Sequence, residues 1–212
     1  MFIEQIKQSI ENNRPLFIKS YMDYDFNWED LVNIISMSYN KPSIQAPESI
    51  EIPDSMKFNS KLNFLTNLQV QSSEGVAFHA QDTLSYPLDN SLSKKYHQIK
   101  EIKKDLFLID SNFNVNVKFS INMSENGHYL SPHRDDHHVL LTQVIGKSKY
   151  VIHESIDSDP YGRAFDVSDR NFVEYHMDKN DLLFMPKGTI HSIDNSNIRA
   201  TCIFDIFEQN TH

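Results

Sequence analysis

Apolar positions along the chain follow two periods, one in each half. Near the N-terminus the period is helical: Phe2, Ile6 and Ile10 recur every four residues, and Asn12-Asn13-Arg14-Pro15 stops that helix. Residues 15–21 (PLFIKSY) predict a short apolar strand. Asn27 can cap a second helix over 27–38, with Trp28, Leu31, Ile34 and Ile35 facing inward. Residues 41–61 hold Pro42, Pro47 and Pro53 among serines and predict an irregular connection. A last helix is expected over 91–104 (SLSKKYHQIKEIKK), with a mostly solvated basic face.

From about residue 113 the period becomes two. In VNVKFSINM, Val115, Val117, Phe119 and Ile121 face one way, and Asn116, Lys118, Ser120 and Asn122 the other. VLLTQVIG, KYVIHE, FVEYHMD, DLLFMP, TIHSI and RATCIFDIF follow at short intervals, separated by Gly, Pro, Asn and Asp turns. Many short strands without helices between them mean a closed or sandwiched antiparallel sheet, a barrel or jelly roll. The expected fold is mainly β with N-terminal α/β elements. It is read as a single domain over 1–212, with 1–112 as a helical and mixed buttress and 113–208 as the β core.

Composition narrows the function classes. The 212 residues carry 20 basic and 29 acidic side chains, a net charge of −9, which argues against a nucleic-acid or anionic-membrane partner. Fourteen phenylalanines argue for a packed interior. A single cysteine excludes a disulfide framework and fits a reducing compartment. No apolar run approaches a membrane span, and the first residues lack the basic and apolar regions of a signal peptide, so a cytoplasmic location is expected. Gly75, Gly127, Gly146, Gly162 and Gly188 stand too far apart for a dinucleotide fingerprint or a P-loop.

Four of the ten histidines fall within 128–138: His128, His133, His137 and His138. His133 and Asp135 are two apart, so on an extended chain both side chains leave one face, roughly 6–7 Å apart. His191 follows the Met185-Pro186-Lys187-Gly188 turn and leads into a strand. Two histidines and a carboxylate on one side of a metal, with other positions open, form the facial triad of non-haem Fe(II) oxygenases. His137 in place of Asp135 gives the alternative, a three-histidine cupin-type site. His138, His153 and His176 read as sheet-face histidines, and Cys202 as core.

The segment SPHRDDHHVLLTQVIGKSKYVI resembles the core of JmjC-type, cupin-like Fe(II)/2-oxoglutarate oxygenases, especially the ribosomal-protein hydroxylase branch. Gln143 and Gly146 stand where that family keeps a Gln and a Gly after its His-x-Asp. NDLLFMPKGTIHSI is similar to the family's Gly-Asp-x-Leu-x-x-Pro-x-Gly-x-x-His segment, with Asn180 replacing the first Gly, as suits a positive φ. RPLFIKSY and WEDLVNII resemble its entry strand and helix. The similarity covers about 14–38 and 115–207.

The resemblance implies a double-stranded β-helix and an oxygenase using Fe(II), 2-oxoglutarate and O2. Such an enzyme hydroxylates an unactivated C–H and releases succinate and CO2. His133, Asp135 and His191 match the iron ligands. Where JmjC-like enzymes keep a cation for the distal carboxylate of 2-oxoglutarate, this chain has Ser148, flanked by Lys147 and Lys149. Ile198-Arg199-Ala200-Thr201 resembles the Arg-x-Ser/Thr pattern of other 2-oxoglutarate oxygenases. Arg199 with Thr201 is therefore the expected anchor, Lys149 the reserve. Asn122 and Tyr129 are read as contacts to 2-oxoglutarate or substrate, or as packing. The chain ends at His212, soon after the last predicted strand. The extra C-terminal domains of the ribosomal-protein branch are therefore not expected, and a small-molecule substrate is as acceptable as a peptide or protein. Oligomeric state is left open, a homodimer included. The rival reading is a cupin-type metal-binding enzyme or binding protein that does not use 2-oxoglutarate.

Overall fold

The computed structural model describes residues 2–37, 43–45, 77–80, 94–122, 128–195 and 198–208. Three helices precede the β half: α1 (Phe2–Glu11), α2 (Trp28–Met37) and α3 (His97–Ile109). Short strands β1 (Leu16–Ile18), β2 (Ser43–Gln45) and β3 (Ala77–Ala80) lie among them. Then come β4 (Phe113–Asn122), β5 (His128–Arg134), β6 (His138–Ile145), β7 (Ser148–His153), β8 (Phe172–Met177), β9 (Leu182–Met185), β10 (Ile190–Asn195) and β11 (Arg199–Glu208). They form a seven-stranded sheet, in the order β1-β9-β6-β11-β4-β3-β2, and a four-stranded sheet, β5-β10-β7-β8. Every registered pair is antiparallel. From β4 to β11 consecutive strands alternate between the two sheets except at the β7–β8 hairpin, which stays in the smaller one, and this makes a double-stranded β-helix.

Strand alternation sorts the long β4 and β11 into two faces. Val115, Val117, Phe119 and Ile121 of β4, with Ala200, Cys202, Phe204 and Ile206 of β11, pack outward against the helices. There they meet Ile6 of α1, Leu31 of α2, and Ile99, Ile102 and Leu106 of α3. Each such large apolar side chain contributes about 1.5–3 kcal/mol by its burial. The opposite residues, Lys118, Ser120, Arg199, Ile203 and Asp205, face a cavity between the sheets. Val139, Leu141, Tyr150, Met185 and Ile203 make the smaller core there.

Local chemistry explains the junctions. Asn27 Oδ1 accepts from the Asp30 amide at 3.0 Å while Asp30 Oδ2 accepts from the Asn27 amide at 2.8 Å, a reciprocal cap that starts α2. Asn180 has φ 75°, and its Oδ1 accepts from the Tyr24 amide at 3.0 Å, which joins the N-terminal segment to the β8–β9 turn. At Gly146 (φ 70°) a Cβ would lie 2.3 Å from the Ile198 carbonyl oxygen, so only glycine lets the β6–β7 turn sit against the start of β11.

Two expectations need correction. Within 41–61, Ser43–Gln45 pairs with Ala77–Ala80 as a strand; the rest of that stretch lies outside the described residues, as do the side chains of Ile34 and Ile35. The third helix runs later than 91–104, and it is not mainly a solvated basic face. Ile99, Ile102 and Leu106 make an apolar stripe at helical spacing that the surrounding lysines mask in the composition. Among the described residues, no helix is long and apolar enough to cross a membrane.

Candidate metal centre

His133 and His191 face each other across the β5–β10 pair, in direct register. Their ring centroids are 4.4 Å apart. Asp135 stands in the turn just past β5. The His-x-Asp pair therefore lies at the end of a strand. His133 Nε2 lies 4.0 Å from Asp135 Oδ1, and His191 Nε2 lies 3.8 Å from Asp135 Oδ2. One ligand atom from each of the three falls within 4.8 Å of the others.

The imidazoles are pre-set. His133 Nδ1 donates to the Ser131 carbonyl at 2.8 Å, and His191 Nδ1 donates to the Thr189 carbonyl at 3.1 Å. With the proton on Nδ1, each Nε2 lone pair is free and aimed at the common point. Burial lowers the His191 pKa to about 4, with help from the His133 ring and against the pull of Asp135, so its ring is neutral near pH 7. Two imidazoles and a carboxylate, leaving one side open, suit a divalent first-row metal such as Fe(II).

His137, the alternative third ligand, is committed elsewhere. Its Nδ1 is 3.0 Å from Asp136 Oδ1 and its Nε2 is 3.5 Å from Asp205 Oδ1. His138 is buried, and its Nδ1 accepts from the Lys187 amide at 3.0 Å. His153 meets the Ser192 hydroxyl at 3.2 Å, and His176 pairs with Glu174 at the surface.

A cavity of about 640 Å³, its open mouth included, runs from this cluster between the sheets to Arg199. Arg199 is 1% exposed. Its Nη1 donates to Thr201 Oγ1 at 2.7 Å. That hydroxyl in turn donates to Gln143 Oε1 at 3.0 Å, which also accepts from Ser148 Oγ at 2.8 Å. Arg199 Nε has no hydrogen-bond partner, and no carboxylate lies within ion-pair distance of the guanidinium, among the described residues. A buried cation with an orphaned N–H, lining a cavity, has the chemistry to receive an anion.

The reserve cation is differently placed. Lys149 pairs with Glu174 at 3.4 Å and Asp194 at 3.3 Å and does not line the cavity. Lys147 pairs with Asp178 at 2.8 Å. Asn122 is fully buried, opposite Arg199 in the β4–β11 register. Tyr129 lies in β5 opposite Asp194, and its side chain lies outside the described residues.

Sequence reasoning missed a second charged group in the same cavity. Lys118 Nζ meets Asp205 Oδ2 at 2.7 Å, and His137 approaches the other oxygen. Attraction to His137 and Lys118 outweighs burial and holds the Asp205 carboxyl below its ordinary pKa. The available signal was period two: Lys118 shares a face of β4 with Ser120, and Asp205 shares a face of β11 with Arg199.

Residues 91–210 match the JmjC domain family. No curated protein matches the sequence. Among solved structures, the fold is similar to that of YcfD, a ribosomal oxygenase from Escherichia coli, in complex with cobalt and succinic acid (14% identity, TM-score 0.58, 93% of this chain and 49% of that one). It is also similar to YcfD with cobalt and 2-oxoglutarate (14%, 0.56, 93% and 49%) and to another X-ray structure of the E. coli protein (13%, 0.61, 96% and 53%). The chain thus spans about half the length of these structures.

Proposed function

This chain belongs to the JmjC domain family, and from that premise we propose that it is an Fe(II)- and 2-oxoglutarate-dependent oxygenase that hydroxylates an unactivated C–H. Its substrate is a protein or peptide side chain or a small metabolite. His133, Asp135 and His191 hold the iron, and Arg199 with Thr201 holds the distal carboxylate of 2-oxoglutarate. The observation that carries this reading is one cavity with a three-ligand cluster at its mouth and an uncompensated buried guanidinium within. The YcfD complexes with cobalt, succinic acid and 2-oxoglutarate support it by analogy of fold.

Bound in this site, Fe(II) and 2-oxoglutarate together supply dioxygen activation, with succinate and CO2 as the co-products. The chain supplies the rest. The Ser131 and Thr189 carbonyls fix the two imidazoles in the tautomer that presents Nε2. Asp135 balances metal charge from a turn. Arg199 offers a planar fork to a carboxylate, and the hydroxyl of Thr201 fixes that fork. Leu130, Val139, Leu141, Met185, Ile193 and Ile203 give the cavity an apolar stretch of wall that limits water, beside the Lys118–Asp205 pair. On this reading 1–112 serves as a buttress to the catalytic core of 113–208.

The test is anaerobic titration with Fe(II) and 2-oxoglutarate, followed through the weak visible charge-transfer band of the chelate. A band that needs both additions is the expected result. Metal binding without any band on adding 2-oxoglutarate would replace this reading with that of a cupin-type metalloprotein.

A further inference from the structure

The 18 residues from Glu154 to Asn171, between β7 and β8, form a strap whose contacts converge on the metal-ligand segment. Its base is closed: the Glu154 amide donates to the Asn171 carbonyl at 2.9 Å, and Arg170 Nη1 donates to the Glu154 carbonyl at 3.2 Å. Its tip does not stay beside β7. In the four-stranded sheet His153, Ile190 and Arg134 stand level on β7, β10 and β5. The strap crosses β10 at that level and docks on the free edge of β5, where the Gly162 amide donates to the Arg134 carbonyl at 2.8 Å and the Phe165 amide to the Pro132 carbonyl at 3.1 Å. Those two carbonyls flank His133.

Arg134 sits between the two proposed ligands His133 and Asp135, yet it is 8% exposed and absent from the cavity lining. Its Nη2 donates to the carbonyls of Asp157 (3.4 Å) and Asp159, and its guanidinium lies 3.9 Å from the centroid of the Tyr161 ring. The loop that receives it is itself clasped. Asp159 is 6% exposed and takes both arms of Arg170 at 2.5 and 2.7 Å, as well as the Ile156 amide at 2.9 Å. Beyond Asp135, its carbonyl accepts from the Gly188 amide at 3.0 Å, in the turn that leads to His191. A chain of contacts therefore runs from the Arg170–Asp159 clasp through Arg134 to all three ligands.

We propose that the strap is a brace for the metal centre, with Arg134, Asp159 and Arg170 as positioning residues that hold the His133–Asp135 segment in register with His191. The physical case is that Asp135 sits in a turn past the last pair of β5, where the ladder no longer fixes it. A metal site tolerates little slack, because each ligand must reach its place without paying ordering entropy at the moment of binding. The strap replaces the missing ladder on one side of that segment, and the Gly188 turn does so on the other. This rests on the assignment of His133, Asp135 and His191 as ligands.

The test uses Co(II) alone, titrated without oxygen into the metal-free protein and followed by its visible ligand-field absorption. Arg170→Ala and Arg134→Met should each weaken Co(II) binding about 10- to 100-fold, the usual effect of losing an outer partner of a metal ligand. They should also change the band's intensity, since the ligand set becomes looser. Arg170→Lys should recover only part, because an ammonium cannot reproduce the fork on Asp159. Lys147→Ala, which removes an exposed ion pair to Asp178 at the β6–β7 turn, should bind as the parent does. Should Arg134→Met fail to fold, the two Arg170 variants decide the matter. A folded Arg170→Ala with the parent's Co(II) affinity and spectrum overturns the brace alone, as does an equal loss in Lys147→Ala. A parent protein that shows no Co(II) absorption overturns the ligand assignment, and the brace with it.

Discussion

The seven-stranded sheet is covered on both sides: helices pack on its outer face, and its inner face closes the cavity. β6, β9 and β11 are buried almost end to end. Among the described residues, the four-stranded sheet is less fully covered. β7 alternates buried and half-buried residues, and β8, at the edge, leaves Phe172 and Val173 more than half exposed. Yet His133 and His191 both belong to this thinner sheet, and Asp135 follows directly from it. Arg199 belongs to the thicker one. The difference separates two jobs. The large sheet carries most of the hydrophobic stabilisation, and its inner face presents the unpaired Arg199 beside the Lys118–Asp205 pair. The small sheet contributes less to stability and holds the proposed ligands at a strand end and a turn, where backbone carbonyls can orient them.

If that division holds, a ligand on the small sheet can be removed without unfolding the protein. His191→Ala and Asp135→Ala should each lower Co(II) or Fe(II) affinity by more than about 1000-fold, roughly 4 kcal/mol. The thermal midpoint of the metal-free protein should move by only a few degrees. Isothermal titration beside a thermal melt checks both. A variant that no longer folds would show that the small sheet is as structural as the large one.

The matching change on the large sheet should act on a different ligand. Arg199→Ala should weaken 2-oxoglutarate binding by about 2–4 kcal/mol, on the order of 30- to 1000-fold, because a buried carboxylate would be left unpaired. Metal affinity should be unchanged. Arg199→Met should at the same time raise the stability of the metal-free protein, since a desolvated guanidinium with an orphaned Nε is a cost to the empty fold. Lys149→Ala, which only breaks outer-face pairs with Glu174 and Asp194, is the control. If Lys149→Ala loses affinity while Arg199→Ala keeps it, the anchor lies on β7.

The contrast also explains what could be read from the sequence. Period-two alternation in β4 assigned Val117 and Phe119 to one side and Lys118 and Ser120 to the other because each face of a long strand meets one environment. The His133/Asp135 spacing with His191 after a Pro-x-Gly turn was legible for the same local reason, and so was positive φ at Asn180. What escaped was set by distant partners. The apolar stripe of α3 lay hidden among lysines. Asp205 and Lys118 are ordinary charges until the β4–β11 pair brings them to 2.7 Å inside a cavity. The role of Arg134 depends on a strap arriving from 20 to 30 residues away.

Acid sharpens the comparison most finely, because it acts on the small sheet through His191. Burial holds that imidazole's pKa down at about 4, against about 6.5 in an unfolded chain. Between these values the unfolded chain binds a proton that the folded one refuses. The resulting stability is present in full above pH 6.5 and is lost as pH falls toward 4. At about 1.4 kcal/mol per pH unit within that window, going from pH 7 to pH 5 removes roughly 2 kcal/mol. His137 works the other way. The carboxylates of Asp205 and Asp136 outweigh the burial that would lower its pKa, so its stabilisation is present in acid and lost as pH rises. A bare pH profile therefore mixes two signs, and the informative measurement is a difference. Urea denaturation of the metal-free protein and of His191→Gln, each at pH 7 and pH 5, should show the variant losing about 2 kcal/mol less on acidification. Equal losses would mean that His191 is not held neutral by the fold, and that the small sheet does not prepare its ligand before the metal arrives.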